Sequence, residues 1–106
     1  MQQELDYAKL GLKIKELRQH SGLTQDLLAE MVSCNTSHIF NIENNHTKVS
    51  LNVLLAIANA LDTSIDYLLS NQYDNASLAL DNEIARAVAR CDNETKERIL
   101  RIIKVL

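Results

Sequence analysis

Proline is absent from the 106 residues, tryptophan is absent too, and glycine occurs only twice. Proline and glycine are the residues that most weaken a helix, so their scarcity leaves few places where a helix must end. Aromatic residues make up only 4% of the chain, whereas Leu, Ile, Ala, Asn and Asp are abundant. This balance predicts an all-α fold.

Long apolar runs are also missing. The longest, from Val53 to Ala58, is far too short to cross a bilayer, and the first ten residues show neither a basic flank nor an apolar stretch. A chain of this length is expected to form one domain that buries its own core without a disulfide or a metal. We therefore expect a cytoplasmic protein with no membrane association.

The sequence shows no clear disulfide pair, metal-ligand cluster or catalytic group. Cys34 and Cys91 form no close pair, which favours reduced thiols. The three histidines lack the spacing of metal ligands, and no combination of nucleophile, base and orienting group is visible. We expect neither a metal nor a cofactor, and no catalysis.

Positive charge is scarce in the first part of the chain. Residues 1–70 contain five Lys or Arg against eight Asp or Glu, and residues 71–106 contain six of each, within a net charge of −3. Since net charge governs long-range attraction rather than fold, this distribution lowers the expectation of tight nonspecific binding to nucleic acid.

Apolar residues recur at helical spacing along most of the chain. Asp6, Thr24, Ser50 and Ser64 each precede such a pattern and are expected to cap a helix. A further helix is expected from about Asn35 to Glu43. The inner faces of the five helices are predicted to be Leu10, Ile14 and Leu17; Leu28, Ala29 and Val32; Ile39 and Ile42; Leu54, Ile57, Ala58 and Leu61; and Ile65, Leu68 and Leu69.

The C-terminal part has its own pattern. The polar stretch at residues 71–78 predicts a linker between a domain at 1–70 and a helical segment at 79–106. Ile84, Val88 and Cys91 form one apolar stripe, "DNET" interrupts it, and Ile99, Ile102, Ile103 and Leu106 form a second stripe. Because helices this short are unstable alone, both stripes need a partner surface.

The segment "TQDLLAEMVSCNTSHIFNIE", Thr24 to Glu43, carries a family resemblance. Together with the pattern over residues 14–69, it resembles the helix-turn-helix domain of the Xre family, the group of the lambda Cro and phage repressors. The resemblance rests on Gly22 before Thr24 and Gln25, on Ala29 at the helix crossing, and on Ile42 followed by Glu43. It implies a five-helix domain of the lambda-repressor type, followed here by one or two further helices.

The third helix would then be the recognition helix. At 100° per residue, Ser37, Asn41 and Asn44 lie opposite the buried Ile39, a face whose amides and hydroxyls are able to read base edges. The resemblance places base contacts on Asn35, Thr36, Ser37 and Asn41, and phosphate contacts on Gln25, Asn44 and Lys48. Phe40 is a further candidate, for a thymine methyl, and His38 and His46 are candidates for phosphate. Glu43 is expected to bind a local amide or Arg18 instead.

Several features depart from the family pattern. Ser33 occupies a turn position that is usually Gly, and Val49 replaces a frequent Pro. The recognition helix carries no Lys or Arg, so charge toward DNA must come from Lys48, with Lys9, Lys13 and Arg18 as further candidates. Low affinity per subunit follows, and dimerisation would compensate for it.

Dimerisation supplies a role for the C-terminal stripes. Ile84, Val88, Ile99, Ile102, Ile103 and Leu106 are predicted to pack between two subunits; the alternative is that this segment folds back over Leu27 and Met31 of its own domain. The expected function is a dimeric, sequence-specific regulator of transcription, a repressor that binds double-stranded DNA at a near-palindromic operator. A protein-interaction adaptor or antitoxin-like partner built on the same fold is the alternative. The sequence identifies no small-molecule effector.

Overall fold

The protein is described by a computed structural model that covers residues 4–75 and 77–106. Within these residues all of the regular secondary structure is helical, with seven α-helices and one 3-10 helix. The α-helices are α1 (Tyr7–His20), α2 (Gln25–Met31), α3 (Thr36–Glu43), α4 (Leu51–Ala60), α5 (Ile65–Leu68), α6 (Ser77–Ala89) and α7 (Asn93–Lys104), and the 3-10 helix is Ser70–Gln72. The predicted all-α class is confirmed, and two α-helices follow the fifth where one or two were expected.

Every predicted cap begins its helix as expected. The side chains of Asp6, Thr24, Ser50 and Ser64 accept hydrogen bonds from the backbone N–H three residues later. Asn35 caps α3 in the same way. Each cap satisfies one of the amides that a first helical turn leaves without a partner, so the helix starts are encoded locally.

The C-terminal interruption is shorter than the sequence suggested. Asp92 alone acts as the cap, accepting from the Thr95 N–H at 2.8 Å. The rest of "DNET" already belongs to the first turn of α7, which begins at Asn93. Asp and Thr mark a helix start as readily as they mark a loop, which explains the difference.

Left-handed residues end several helices. Gly22 has φ +72° after α1, and Ser33, Asn45 and Asp62 adopt φ values of 57° to 58° after α2, α3 and α4. Asn and Asp tolerate this region comparatively well, whereas Ser33 occupies it in place of the glycine typical of the family, at a modest energetic cost.

The core lies among α1 to α5. Its fully buried side chains come from each of these helices: Leu10, Ile14, Leu28, Ile39, Ile57 and Leu68. Leu17, Val32, Ile65 and Leu69 lie at its edge. Cys34 also contacts this edge, and partial burial raises the pKa of its thiol, which therefore stays protonated near neutral pH.

Gly11 allows α1 to approach the end of α3. A Cβ at this position would lie 2.4 Å from the carbonyl oxygen of Ile42 and 2.9 Å from that of Glu43. Both are backbone atoms, which have no rotamer by which to move aside. The sequence pattern contains no sign of this contact, because Gly11 sits in an otherwise regular helical stretch.

Gly11→Ala is therefore expected to destabilise the protein by about 1–3 kcal/mol, as overpacking does. The sign of the stability change is informative, because replacing Gly by Ala inside an unconstrained helix stabilises a protein by about 0.5–1 kcal/mol. Chemical denaturation would measure the change, with Lys9→Ala on the exposed side of α1 as the control. An increase in stability for Gly11→Ala would show that α1 and α3 do not meet this closely.

Helix α6 rests on the five-helix unit. Ala79 is buried there, Thr63 donates to the Glu83 carboxylate at 2.9 Å, and Arg90 forms an ion pair with Asp62. The segment before α6 is also held, since Tyr73 donates to Asp66 at 2.7 Å. The division into two domains with a linker at 71–78 stays a prediction.

Helix α7 has no buried residue. Ile102 and Ile103 remain more than half exposed, and the described residues have a radius of gyration of 15.5 Å, above the roughly 13 Å typical of a compact chain of this length. Leu27 and Met31 are also exposed, at 46% and 53%. The C-terminal segment thus does not fold back over these two residues in a single chain.

Candidate nucleic-acid interface

Helices α2 and α3 cross closely around a small side chain. Ala29 is buried at the contact, and the N–H of Cys34 in the intervening turn bonds to the carbonyl oxygen of Ala29 at 3.0 Å. Ile39 is fully buried on the inner side of α3. These contacts fix both the position and the rotation of α3, so that its opposite face points away from the core.

A buried ion pair holds the far end of α3. Arg18 donates through Nε to one Glu43 oxygen at 2.7 Å and through a terminal nitrogen to the other at 3.0 Å. The guanidinium also donates to the carbonyl oxygen of Leu23 at 2.8 Å, and Gln25 donates its amide N–H to Glu43 at 3.0 Å. The prediction that Glu43 binds Arg18 is confirmed, and the amide it also binds belongs to the side chain of Gln25 on α2.

This arrangement corrects one expectation about charge. Arg18 is buried, and all three nitrogens of its guanidinium donate to Glu43 or Leu23, so it is unavailable to a phosphate group. Lys13 lies over the ring of Tyr67, with 4.2 Å from Nζ to the ring centroid. Lys9 and Lys48 are exposed, and the Nζ of Lys48 lies 5.5 Å from the centroid of the Tyr7 ring.

The outer face of α3 is polar and accessible. Ser37 and Asn44 are exposed, Thr36, His38 and Asn41 are half-buried, and Phe40 is 46% exposed. The ring of Phe40 meets that of His46 edge to face, with centroids 5.8 Å apart. The structure thus gathers the predicted base-contacting residues at the start and outer side of one helix, with His46 and Lys48 in the loop that follows it.

Most of these polar groups already have a partner inside the protein. Asn35 accepts from the His38 N–H and from the Ser37 hydroxyl, both at 2.9 Å. Asn44 donates its amide to the carbonyl oxygen of Phe40. Asn41 is different, because its side-chain amide makes no hydrogen bond to any described residue, which leaves its two N–H donors and its carbonyl oxygen for a ligand.

A hydrogen bond between α2 and α3 could not be predicted from the sequence. Asp26, in the first turn of α2, accepts a 2.6 Å hydrogen bond from the Thr36 hydroxyl at the start of α3. The two residues are ten positions apart on different helices, and only the crossing of α2 over α3 brings them together. No spacing rule within one helix could have indicated this pair.

The structure describes two ranges, 4–75 and 77–106. Neither range contains three His, Cys, Asp or Glu side chains grouped so as to hold a metal ion. No helix in these ranges is long and apolar enough to cross a membrane.

The helix-turn-helix part of the chain is similar to known proteins. Residues 14–68 match the family model described as helix-turn-helix. A propionyl-CoA carboxylase regulator from Cereibacter sphaeroides is 36% identical over 62 residues, which is 58% of this chain but 13% of that protein. The control protein C.SmaI from Serratia marcescens is 32% identical over 63 residues, covering 59% of this chain and 75% of that protein.

A solved structure shows the same likeness. The restriction-modification controller protein C.AhdI from Aeromonas hydrophila superposes with a TM-score of 0.55 at 34% identity, covering 57% of this chain and 92% of that one. The family match ends at Leu68, and α6 and α7 lie beyond it.

Proposed function

Because the chain belongs to the helix-turn-helix family, in its Xre-like branch, we propose that it is a sequence-specific DNA-binding regulator of transcription that places α3 in the major groove. The observation that carries this proposal is the orientation of α3. Its inner side is fixed by Ile39 and by the Arg18–Glu43 pair, and its outer side presents small polar residues. A recognition helix needs this combination, since base edges are read by side chains on a rigid support.

The proposed contacts follow the placement of the side chains. Asn41 is the main base reader, because its free amide is able to pair with adenine at N6 and N7. The other proposed base contacts are Asn35, Thr36, Ser37 and Phe40, and the proposed phosphate contacts are Gln25, His38, Asn44, His46 and Lys48. The activity is binding without catalysis, and its site of action is the cytoplasm.

We further propose that the protein acts as a homodimer. With few cations near α3, one subunit binds DNA weakly, and a second linked subunit raises the affinity through effective concentration. The proposed contact consists of two apolar residues of α6, three of α7 and one that follows α7: Ile84, Val88, Ile99, Ile102, Ile103 and Leu106. A two-fold dimer predicts a near-palindromic operator with half-sites about 34 Å apart, at which the protein represses transcription.

Selection of bound duplexes from a random pool at low salt tests the proposal as a whole. Enrichment of a near-palindromic motif is the expected result. A chain that retains its helical content and binds no duplex at low salt would instead be an adaptor that uses the same fold to bind a protein. The exposed side chains of Phe40 on α3 and of Leu27 and Met31 on α2 would then be the first to examine.

Asn41→Ala tests the assignment of α3. We expect this variant to lose about 1–3 kcal/mol of discrimination at one base position of each half-site, because the paired amide is removed. Competition binding between the selected operator and single-base variants would measure it. Asn59→Ala, an exposed substitution of the same type on α4, is the control. Unchanged preference in a folded Asn41→Ala protein would remove this residue from the reading surface.

A further inference from the structure

At the start of α3, two hydroxyl groups donate hydrogen bonds to other side chains of the protein. The Thr36 hydroxyl lies 2.6 Å from an Asp26 carboxylate oxygen. An ionised carboxylate only accepts hydrogen bonds, so Thr36 must be the donor. The Ser37 hydroxyl lies 2.9 Å from Asn35 Oδ1, which also accepts the capping bond of α3 and is therefore an oxygen, so Ser37 donates too.

A hydroxyl whose proton is already engaged in a hydrogen bond is able only to accept from a further partner. It keeps two lone pairs and has no second proton to offer. In the major groove, acceptors match the exocyclic amino groups, adenine N6 and cytosine N4, and conflict with guanine O6 and thymine O4, which are acceptors themselves. A free hydroxyl, by contrast, rotates to suit either kind of base.

We propose that Asp26, from outside the recognition helix, sets the base preference of Thr36 by fixing its hydroxyl as an acceptor, so that the base facing Thr36 bears an amino group in the major groove. This inference rests on the proposed function. Asp26 is a positioning residue in this role, because it acts through Thr36. Ser37, held by Asn35, adds a second acceptor beside it.

A carboxylate at position 26 has an electrostatic cost for DNA binding and a local structural benefit. Asp26 is exposed, in the same α2 turn as Gln25, which is a proposed phosphate contact, and a negative charge opposes the approach of a polyanion. Its position in the first turn of α2 and its bond to Thr36 stabilise the protein locally. The short charge-assisted bond also holds the hydroxyl more firmly than a neutral partner would.

The test compares base preference in three full-length proteins: wild type, Asp26→Asn and Glu30→Gln. An asparagine offers both an acceptor and a donor, so the Thr36 hydroxyl regains the choice of polarity. We expect the preference at one position of each half-site to fall from about tenfold to about twofold or less. Glu30→Gln removes the same charge from an exposed position of α2 and should leave every preference unchanged.

A base analogue identifies the amino group directly. In the selected operator, the adenine or cytosine at the affected position is replaced by an analogue without the exocyclic amino group. Wild-type affinity should fall about tenfold, whereas Thr36→Val, which keeps the shape and lacks the hydroxyl, should bind both duplexes equally. Circular dichroism of each variant confirms folding.

The outcomes separate the two proposals. A wild-type chain that enriches no sequence overturns both the function and this inference. A wild-type chain that enriches a motif, with the same motif enriched by Asp26→Asn, overturns the inference alone. So does an equal loss of affinity for wild type and Thr36→Val on the analogue, since the amino group would then be read by another residue.

Discussion

Glu43→Ala is expected to lower the free energy of unfolding by about 3–5 kcal/mol, a large part of the stability of a small domain. The side chains of Arg18 and Glu43 are 9% and 0% exposed, and they share two hydrogen bonds. Removing the carboxylate leaves a guanidinium in the core with only the Leu23 carbonyl oxygen as a strong partner. Urea denaturation monitored by circular dichroism would measure the loss.

Two further variants show whether burial causes this effect. Glu94 pairs with Arg98 at 2.8 Å on the exposed surface of α7, so Glu94→Ala removes a similar bond where water replaces it and should change the denaturation midpoint little. The double variant Arg18→Met with Glu43→Leu should be more stable than Glu43→Ala, because no buried charge remains. Equal losses for Glu43→Ala and Glu94→Ala would show that the core pair is hydrated.

Removing residues 93–106 is expected to leave a folded protein that binds its operator about 10²–10⁴-fold more weakly. Helix α7 contributes no buried side chain, so its removal leaves the core of α1 to α5 and the contacts of α6 intact. The base-reading residues are unchanged, and the loss comes from the lower effective concentration of a second half-site reader. Sedimentation would show whether the shortened chain is a monomer, and binding to full and half operators would be measured in parallel.

Point substitutions identify the face of α7 responsible. Ile102→Glu and Ile103→Glu place a charge on the exposed apolar stripe and should reproduce the deletion, whereas Arg101→Ala on the same helix should not. Binding of the shortened chain to the full operator as tightly as the intact protein would show that α7 has no part in dimerisation. The exposed Leu27 and Met31 of α2 would then be tested in the same way.

The helices and the fold they form could be predicted from local sequence patterns. Thr24 and Ser50 cap their helices through bonds to an amide three residues away, and Ile39 and Ile42 share a face because of helical periodicity. These relations are local, so spacing alone is enough to find them. The face of α3 opposite Ile39 followed from the same geometry. The family match over residues 14–68 supports the resemblance first seen in Thr24 to Glu43.

The packing of the helices against one another sets which polar groups remain free and how closely the helices approach. It took Arg18 out of the set of DNA-facing cations, committed the Thr36 hydroxyl to Asp26 and required a glycine at position 11. It also left α7 without a covering surface in the single chain. Each of these outcomes depends on two segments distant in sequence that meet at a particular crossing angle and depth. Periodicity indicates which face of a helix is buried, and it contains no information about the atoms that this face will meet.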